Sequence, residues 1–290
     1  MHWTERRERF RAILAGPRCV HPGSVYDAMS ARIAEDLGFE VGMFAGSTAS
    51  LAVLGAPDLI VLTLSEFAEQ AYRICRAGNL ALLVDSDHGY GNALNVKRTV
   101  EELETAGVAA LTIEDTLLPR PYGPSDKASL ISIEEGVGKM KAALAGRQDR
   151  SLVVAGRTGA LRITGVEDTI ARARAYEAVG VDAIFLSGAR TKAEVEAVAS
   201  ALHIPVMLGG ASPELSDLDW LSKNGVRIAL QGHQPIQAAV QAIYVTLKAL
   251  REGTPPNELT GLASAELMGR VMREADHRQW TRDFLGGEAG

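Results

Sequence analysis

The chain has 290 residues, 47% of them hydrophobic, with 30 Lys and Arg against 36 Asp and Glu and a formal net charge of −6. This composition supplies a sizeable core. It has neither the run of about eighteen apolar residues that a membrane span needs nor a basic stripe for nucleic acid or an anionic membrane. The two cysteines, Cys19 and Cys75, are far apart, and the charged N-terminus has no apolar signal-peptide core, so a reducing cytoplasm is expected.

Residues 4–15 read as a short amphipathic helix, with Phe10, Ile13 and Leu14 apolar and arginines elsewhere, stopped by Gly16-Pro17. A unit of short apolar run, loop and helix then repeats. The strand-type runs cover 18–21, 41–45, 81–84, 110–113, 152–156, 183–186, 206–208 and 227–230. The helical patterns cover 28–37, 65–77, 94–106, 134–145, 166–179, 192–202, 213–224 and 235–251. Leu37-Gly38, Ala77-Gly78, Ala106-Gly107, Val179-Gly180 and Asn224-Gly225 all read as helix ends, because glycine accepts the left-handed conformation after a last turn. Eight strands alternating with eight helices predict a parallel sheet closed into a (β/α)₈ barrel of TIM type, with a doubly wound open sheet as the runner-up. The barrel domain is expected over 1–252. The break Gly253-Thr254-Pro255-Pro256 opens a tail, 253–290, with helix at 263–274 and an aromatic anchor at 280–285. A helix outside a closed barrel packs on a neighbouring subunit or flanks its own barrel; the tail is read as an oligomerisation element.

In such a barrel the chemistry is carried where strands end, at the C-terminal face. The third run ends in Asp85-Ser86-Asp87-His88-Gly89-Tyr90-Gly91. Strand alternation puts Asp85 and Asp87 on one side, and two such carboxylates are tolerated more easily with a cation between them. Oxygen ligands suit a hard divalent ion such as Mg²⁺, which keeps several waters and leaves room for a substrate. The other strand ends offer Gly46-Ser47-Thr48, Glu114-Asp115, Arg157-Thr158 and Gln231-Gly232-His233. This set suits an enolate: the metal and the N–H groups near Gly46 and Ser47 take up charge on the ketone oxygen of a 2-oxo acid. Arg157 is expected to hold a distal carboxylate, and His233 to give that carboxylate a hydrogen bond, or a proton.

Asp85 to Gly91, Thr112-Ile113-Glu114-Asp115 and Gly156-Arg157-Thr158 resemble the isocitrate lyase/phosphoenolpyruvate mutase superfamily, over about 10–249. Within it, Gly46-Ser47, the loop Asp115-Thr116-Leu117-Leu118-Pro119 and Gly232-His233 look most like the bacterial oxaloacetate decarboxylase branch. The resemblance implies Mg²⁺, with Mn²⁺ as a substitute, and a homotetramer whose final barrel helices are exchanged between subunits. It makes Asp85 the direct metal ligand, with Asp87 and Glu114 holding metal-bound waters. Gly46, Ser47, Arg157 and His233 would contact substrate, the catalytic residues among them being Ser47, Arg157 and His233.

The chain also departs from the pattern. The cysteine-bearing loop of the C–C lyases is replaced by Pro119-Arg120-Pro121-Tyr122-Gly123, which suits a decarboxylase, since CO₂ leaves without a proton. Gly159-Ala160 follows Arg157-Thr158 where the family has Asn or Asp, Ser86 stands where Ala is common, and Gly209-Gly210-Ala211 brings no tyrosine. The leading expectation is Mg²⁺-dependent decarboxylation of oxaloacetate or a close 2-oxo diacid. Against it stand a C–C lyase of a substituted malate or citrate, phosphonopyruvate chemistry, and a non-catalytic barrel.

Overall fold

The computed structural model describes residues 3–123, 128–210 and 212–286. They divide into two compact units, 1–233 and 234–290. The first unit is a (β/α)₈ barrel of eight parallel strands in sequential order. The strands are β1 (Gly23–Ser24), β2 (Val41–Phe44), β3 (Ala81–Asp85), β4 (Ala110–Glu114), β5 (Val153–Thr158), β6 (Ala183–Leu186), β7 (Val206–Leu208) and β8 (Val226–Ala229). Run 18–21 is not a strand as expected. It supplies the closing bridge instead: Val20 pairs with Ile228, its N–H bonded to the Arg227 carbonyl at 2.9 Å. The ladder to β2 is made two residues further on, Gly23 opposite Gly42 and Ser24 opposite Met43.

Alternation along the strands sorts their side chains into two cores. Val41, Met43, Leu83, Val153, Ala155, Phe185, Met207 and Ile228 fill the barrel interior. Phe44, Leu82, Val84, Leu111, Ile113, Val154, Ile184 and Leu208 face outward and pack with the helices. The helix α1 (Thr4–Ala15) lays Phe10, fully buried, against the interior cluster. Burying such a side chain is worth about 1.5–3 kcal/mol. Its arginines do not all face water as the amphipathic reading implied: Arg6 and Arg7 are buried.

The outer helices begin where their caps dictate. Asp27 caps α2 (Ala28–Asp36). Thr63 and Glu66 form a reciprocal box at α4 (Leu64–Ala77), as do Thr191 and Glu194 at α9 (Lys192–Ala199). Between them lie α3 (Gly46–Ala49), continued by a π-helical turn at Ser50–Leu54, then α5 (Ala93–Thr105), α6 (Ile133–Gly146), α7 (Ala160–Ile163) and α8 (Val166–Val179). The expected helix 213–224 is a single turn at Pro213–Leu215 followed by α10 (Leu218–Lys223), because Asp217 turns its side chain onto the Trp220 N–H and starts a new helix. Four of the five helix-ending glycines take positive φ; Gly78 does not (φ −167°). Gly78 is there for space instead, since a Cβ would lie 1.8 Å from Glu35 Oε2.

The second unit holds α11 (Gln234–Arg251), α12 (Ala265–Met272) and α13 (Glu274–Leu285). Arg273, in left-handed conformation (φ 57°), separates the last two, so the anchor residues 280–285 are part of a helix. No helix among the described residues is long and apolar enough to cross a membrane.

Candidate active site

The interior alternation of the strands continues past the core into a cavity of about 400 Å³ at their C-terminal ends. Position by position, Met43 leads to Ala45, Leu83 to Asp85, Thr112 to Glu114, Ala155 to Arg157, Phe185 to Ser187, Met207 to Gly209 and Ile228 to Leu230. The last residue of each pair lines the cavity. Ser47 lines it from the start of α3, and Asp87 and His233 from loops. The structure thus gathers Ser47, Asp85, Asp87, Glu114, Arg157 and His233 around one space, with Gly46 against Asp87. A Cβ on Gly46 would stand 2.7 and 2.8 Å from the two Asp87 carboxylate oxygens, so only glycine lets that carboxylate sit there.

The Asp85–Asp87 turn is held by the backbone. Thr112 Oγ1 donates to Asp85 Oδ1 at 3.0 Å, and the Asp87 N–H reaches the same oxygen at 3.2 Å. The Glu114 N–H donates to the Asp87 carbonyl at 2.8 Å, and Asp87 takes the left-handed conformation (φ 48°), which a short polar side chain tolerates. Arg157 pairs with Asp85, its Nε lies 3.2 Å from Glu114 Oε2, and the same Nε donates to Ser187 Oγ at 2.9 Å. Its guanidinium therefore lies with the carboxylates, and its face is near the Phe185 ring (5.7 Å to the centroid).

A fourth carboxylate, Asp58, joins this group, and reading strand ends alone missed it. It lies in the loop before α4, beside Ile60, whose φ of 58° is rare for a β-branched residue. The available signal was the loop itself, which is long and carries Pro57-Asp58 between two helices. Leu118, Arg120, Phe185 and Ser187 were missed as well; extending each strand's alternation by one step would have found the last two. Conversely, Ser86 and His88 are buried and do not line the cavity. Asp115 points outward from β4 to Tyr176 Oη (2.8 Å) and Arg172 (3.2 Å). Gly159 does not line the cavity either, and its nearest neighbour to a Cβ would be Ile163 at 3.8 Å. Ala211 lies outside the described residues.

Four carboxylates against the guanidiniums of Arg120 and Arg157 leave the cavity short of positive charge. Burial, then the charges of Asp85, Glu114 and Asp58, pushes the Asp87 carboxyl up to about 9. Burial also raises Glu114 and Asp58, against the pull of Arg157. Acids forced to keep their protons in a polar cavity mark a place where a cation fits. Among the described residues no three His, Cys, Asp or Glu side chains stand close enough to hold a metal by themselves. The donor set therefore fits a hard ion that keeps waters rather than one fully caged by protein. Phe185, Leu230, Gly209 and the His233 imidazole, which burial holds below its ordinary pKa, add uncharged lining from the later strands.

Residues 10–251 match the phosphoenolpyruvate phosphomutase family. The chain is 64% identical over 286 residues to an oxaloacetate decarboxylase of Bradyrhizobium diazoefficiens, covering 99% of both chains. It is 60% identical to an oxaloacetate decarboxylase of Rhodopseudomonas palustris, again over 99% of both. Among solved structures, oxaloacetate acetylhydrolase in complex with the product oxalate superposes with a TM-score of 0.84 at 28% identity, covering 98% of this chain and 99% of that one. Phosphonopyruvate hydrolase in complex with oxalate and Mg²⁺ gives 0.83 at 30%, covering 97% and 99%.

Proposed function

The chain belongs to the phosphoenolpyruvate phosphomutase family, and we propose that it is a carboxy-lyase that decarboxylates oxaloacetate to pyruvate and CO₂. The observation that carries this reading is a cavity lined by four carboxylates and by uncharged residues of the last three strands, in a chain 64% identical to an oxaloacetate decarboxylase over 99% of both chains.

Asp85 would hold Mg²⁺ directly, and Asp87 and Glu114 through water. Mg²⁺, when bound, supplies a Lewis acid for negative charge on the ketone oxygen. Around it the chain's own residues do the rest. Ser47, and the first-turn N–H groups of α3 at Gly46 and Ser47, which have no partner within the helix, stabilise the same charge. Arg157, engaged by Asp85 and Glu114, serves the 2-oxo acid end. This reverses the orientation expected from sequence, in which Arg157 took the distal carboxylate. His233 then meets the distal carboxylate beside Phe185 and Leu230. That wall suits a group that becomes neutral: as the C3–C4 bond breaks, its electron pair moves into the enolate, and CO₂ no longer needs a counter-charge.

Val240, Ile243, Tyr244 and Leu247 on α11, with Trp280, Phe284 and Leu285 on α13, form exposed apolar stripes. They support the tail 253–290 as an oligomerisation element, following the 1–252 barrel domain, in a homotetramer with exchanged helices. Light scattering at micromolar concentration should give four subunits, and a monomer would end that proposal. Two buried free thiols suit a cytoplasmic location.

The direct test measures pyruvate release from oxaloacetate, substituted malates and phosphonopyruvate with and without Mg²⁺. Metal-dependent release from oxaloacetate alone is expected. Release from a substituted malate would make the protein a C–C lyase, and release from none would leave a non-catalytic barrel.

A further inference from the structure

His233 is held from behind by a residue of β1. Ser24 Oγ lies 2.8 Å from His233 Nδ1. The barrel's closure brings the two together: Val20 bridges Ile228, the Ala229 N–H donates to the Val20 carbonyl at 3.1 Å, and His21 Nδ1 lies 2.7 Å from the Ala229 carbonyl. Gly232, at φ 107°, then turns the chain so that the ring comes back toward β1. With Nδ1 on Ser24, Nε2 is the ring nitrogen left to the cavity that His233 lines.

A neutral imidazole carries its proton on one nitrogen or the other, and a serine hydroxyl can donate or accept. The ligand of the cavity decides between the two arrangements. A dicarboxylate offers only oxygen acceptors, so a proton on Nε2 finds a partner where a lone pair would meet another lone pair. We propose that Ser24 donates its hydroxyl proton to Nδ1 and so fixes His233 as a neutral Nε2–H donor toward the cavity. Ser24 is thus a positioning residue.

The inference rests on the decarboxylase reading for its consequence, and it settles an alternative that sequence left open. An Nε2–H imidazole can hydrogen-bond a carboxylate but is a very weak acid and no base. His233 therefore orients the departing carboxylate of oxaloacetate, and the proton that later reaches C3 of the enolate comes from water. Because that carboxylate loses its charge as CO₂ forms, the hydrogen bond is stronger in the bound substrate than in the transition state. Losing its alignment should then weaken substrate binding more than it slows the chemistry.

¹⁵N NMR of the whole, histidine-labelled enzyme tests the tautomer without any turnover, the six histidines being separated with a His233→Gln variant. In the wild type, His233 Nδ1 should be unprotonated and Nε2 protonated. Ser24→Ala should show a mixture of tautomers, and Ser24→Thr, which keeps the hydroxyl, should match the wild type. A protonated Nδ1 in the wild type, or no change in Ser24→Ala, overturns the proposal. In kinetics, Ser24→Ala should raise KM for oxaloacetate about tenfold while kcat changes by less than about twofold, with Ki for oxalate, which has no distal group, unchanged. Ser24→Thr should restore KM. A fall in kcat at unchanged KM also overturns the proposal. Absence of oxaloacetate turnover in the wild type would instead remove the decarboxylase reading, and the NMR result would stand by itself.

Discussion

The two ends of the barrel are both rich in ionisable side chains and use them in opposite ways. At the N-terminal end, α1 brings arginines onto acids and carbonyls that the strands and helices leave open. Arg7 Nη1 pairs with Asp149 (2.8 Å) and Arg7 Nε donates to the Val108 carbonyl (3.0 Å). Arg11 and Arg147 share Asp182 (3.0 and 2.6 Å). Acids and bases match there, and burial is offset by pairing. At the C-terminal end, Asp58, Asp85, Asp87 and Glu114 outnumber the arginines, and the carboxyl groups of Asp58, Asp87 and Glu114 hold protons more tightly than ordinary acids. A fold stabilises itself with matched charges, and it leaves charges unmatched where something from outside will complete them. Adjacent residues at the end of β4 make the contrast at the shortest range: Glu114, the last of the strand, faces the cavity, whereas Asp115, just past it, is fully buried and answered by Tyr176 and Arg172.

The sharpest way to break this contrast is to remove an acid from the group that outnumbers its arginines. Asp85→Ala should abolish Mg²⁺ binding in a calorimetric titration and lower oxaloacetate turnover at least a thousandfold, ~4 kcal/mol in barrier, while circular dichroism shows an intact barrel. Unchanged Mg²⁺ affinity would remove Asp85 from the metal site. The converse substitution takes the base from a matched pair. Arg172→Met leaves the buried Asp115 with Tyr176 but no cation. It should cost about 3 kcal/mol in urea unfolding and leave the Mg²⁺ affinity of the folded protein within about twofold. A large change in affinity with little loss of stability would move Asp115 and Arg172 into the functional group.

Arg157 is the cation both descriptions claim, since it pairs with Asp85 and Glu114 yet lines the cavity. Arg157→Ala should lower kcat/KM for oxaloacetate at least tenfold, ~1.4 kcal/mol, and weaken oxalate inhibition by a similar factor. A loss confined to oxaloacetate would return Arg157 to the distal carboxylate. The smallest effect belongs to Asp149. Burial opposes its charge, yet hydrogen bonds from Ser151, Arg7 and Thr4 hold its carboxyl well below the usual range. A depressed folded pKa gives stability that is present above the unfolded value and lost as pH falls through the folded one. Asp149→Asn should therefore unfold at lower urea than the wild type at pH 7, by about 1 kcal/mol. The gap should begin to close below about pH 4, where the carboxylate of the unfolded chain takes up its proton, and disappear only below the folded value. A gap that persists at low pH would mean that the carboxylate's charge is not what anchors α1.

Repetition made the barrel legible in the sequence: each apolar run and its helix report the same local periodicities eight times over. The carboxylate site was legible for a related reason. Asp85, Glu114 and Arg157 lie at strand ends and Asp87 just past one, so a rule about strand ends reaches them. Asp58 stands well beyond any strand, on a loop whose course depends on the π-helical turn before it, and no local pattern points it at the cavity. The orientation of Arg157 depends on Asp85 and Glu114, supplied by two other strands. Ser24 and His233 are 209 residues apart. They meet only because the eighth strand returns to the first. Sequence by itself determined seven of the eight strands, most of the helices and which side of a strand each residue takes, because those follow from spacing along the chain. Which charges are matched and which are left for a ligand was decided by tertiary structure, since an ion pair depends on distances through space that close only when the barrel does.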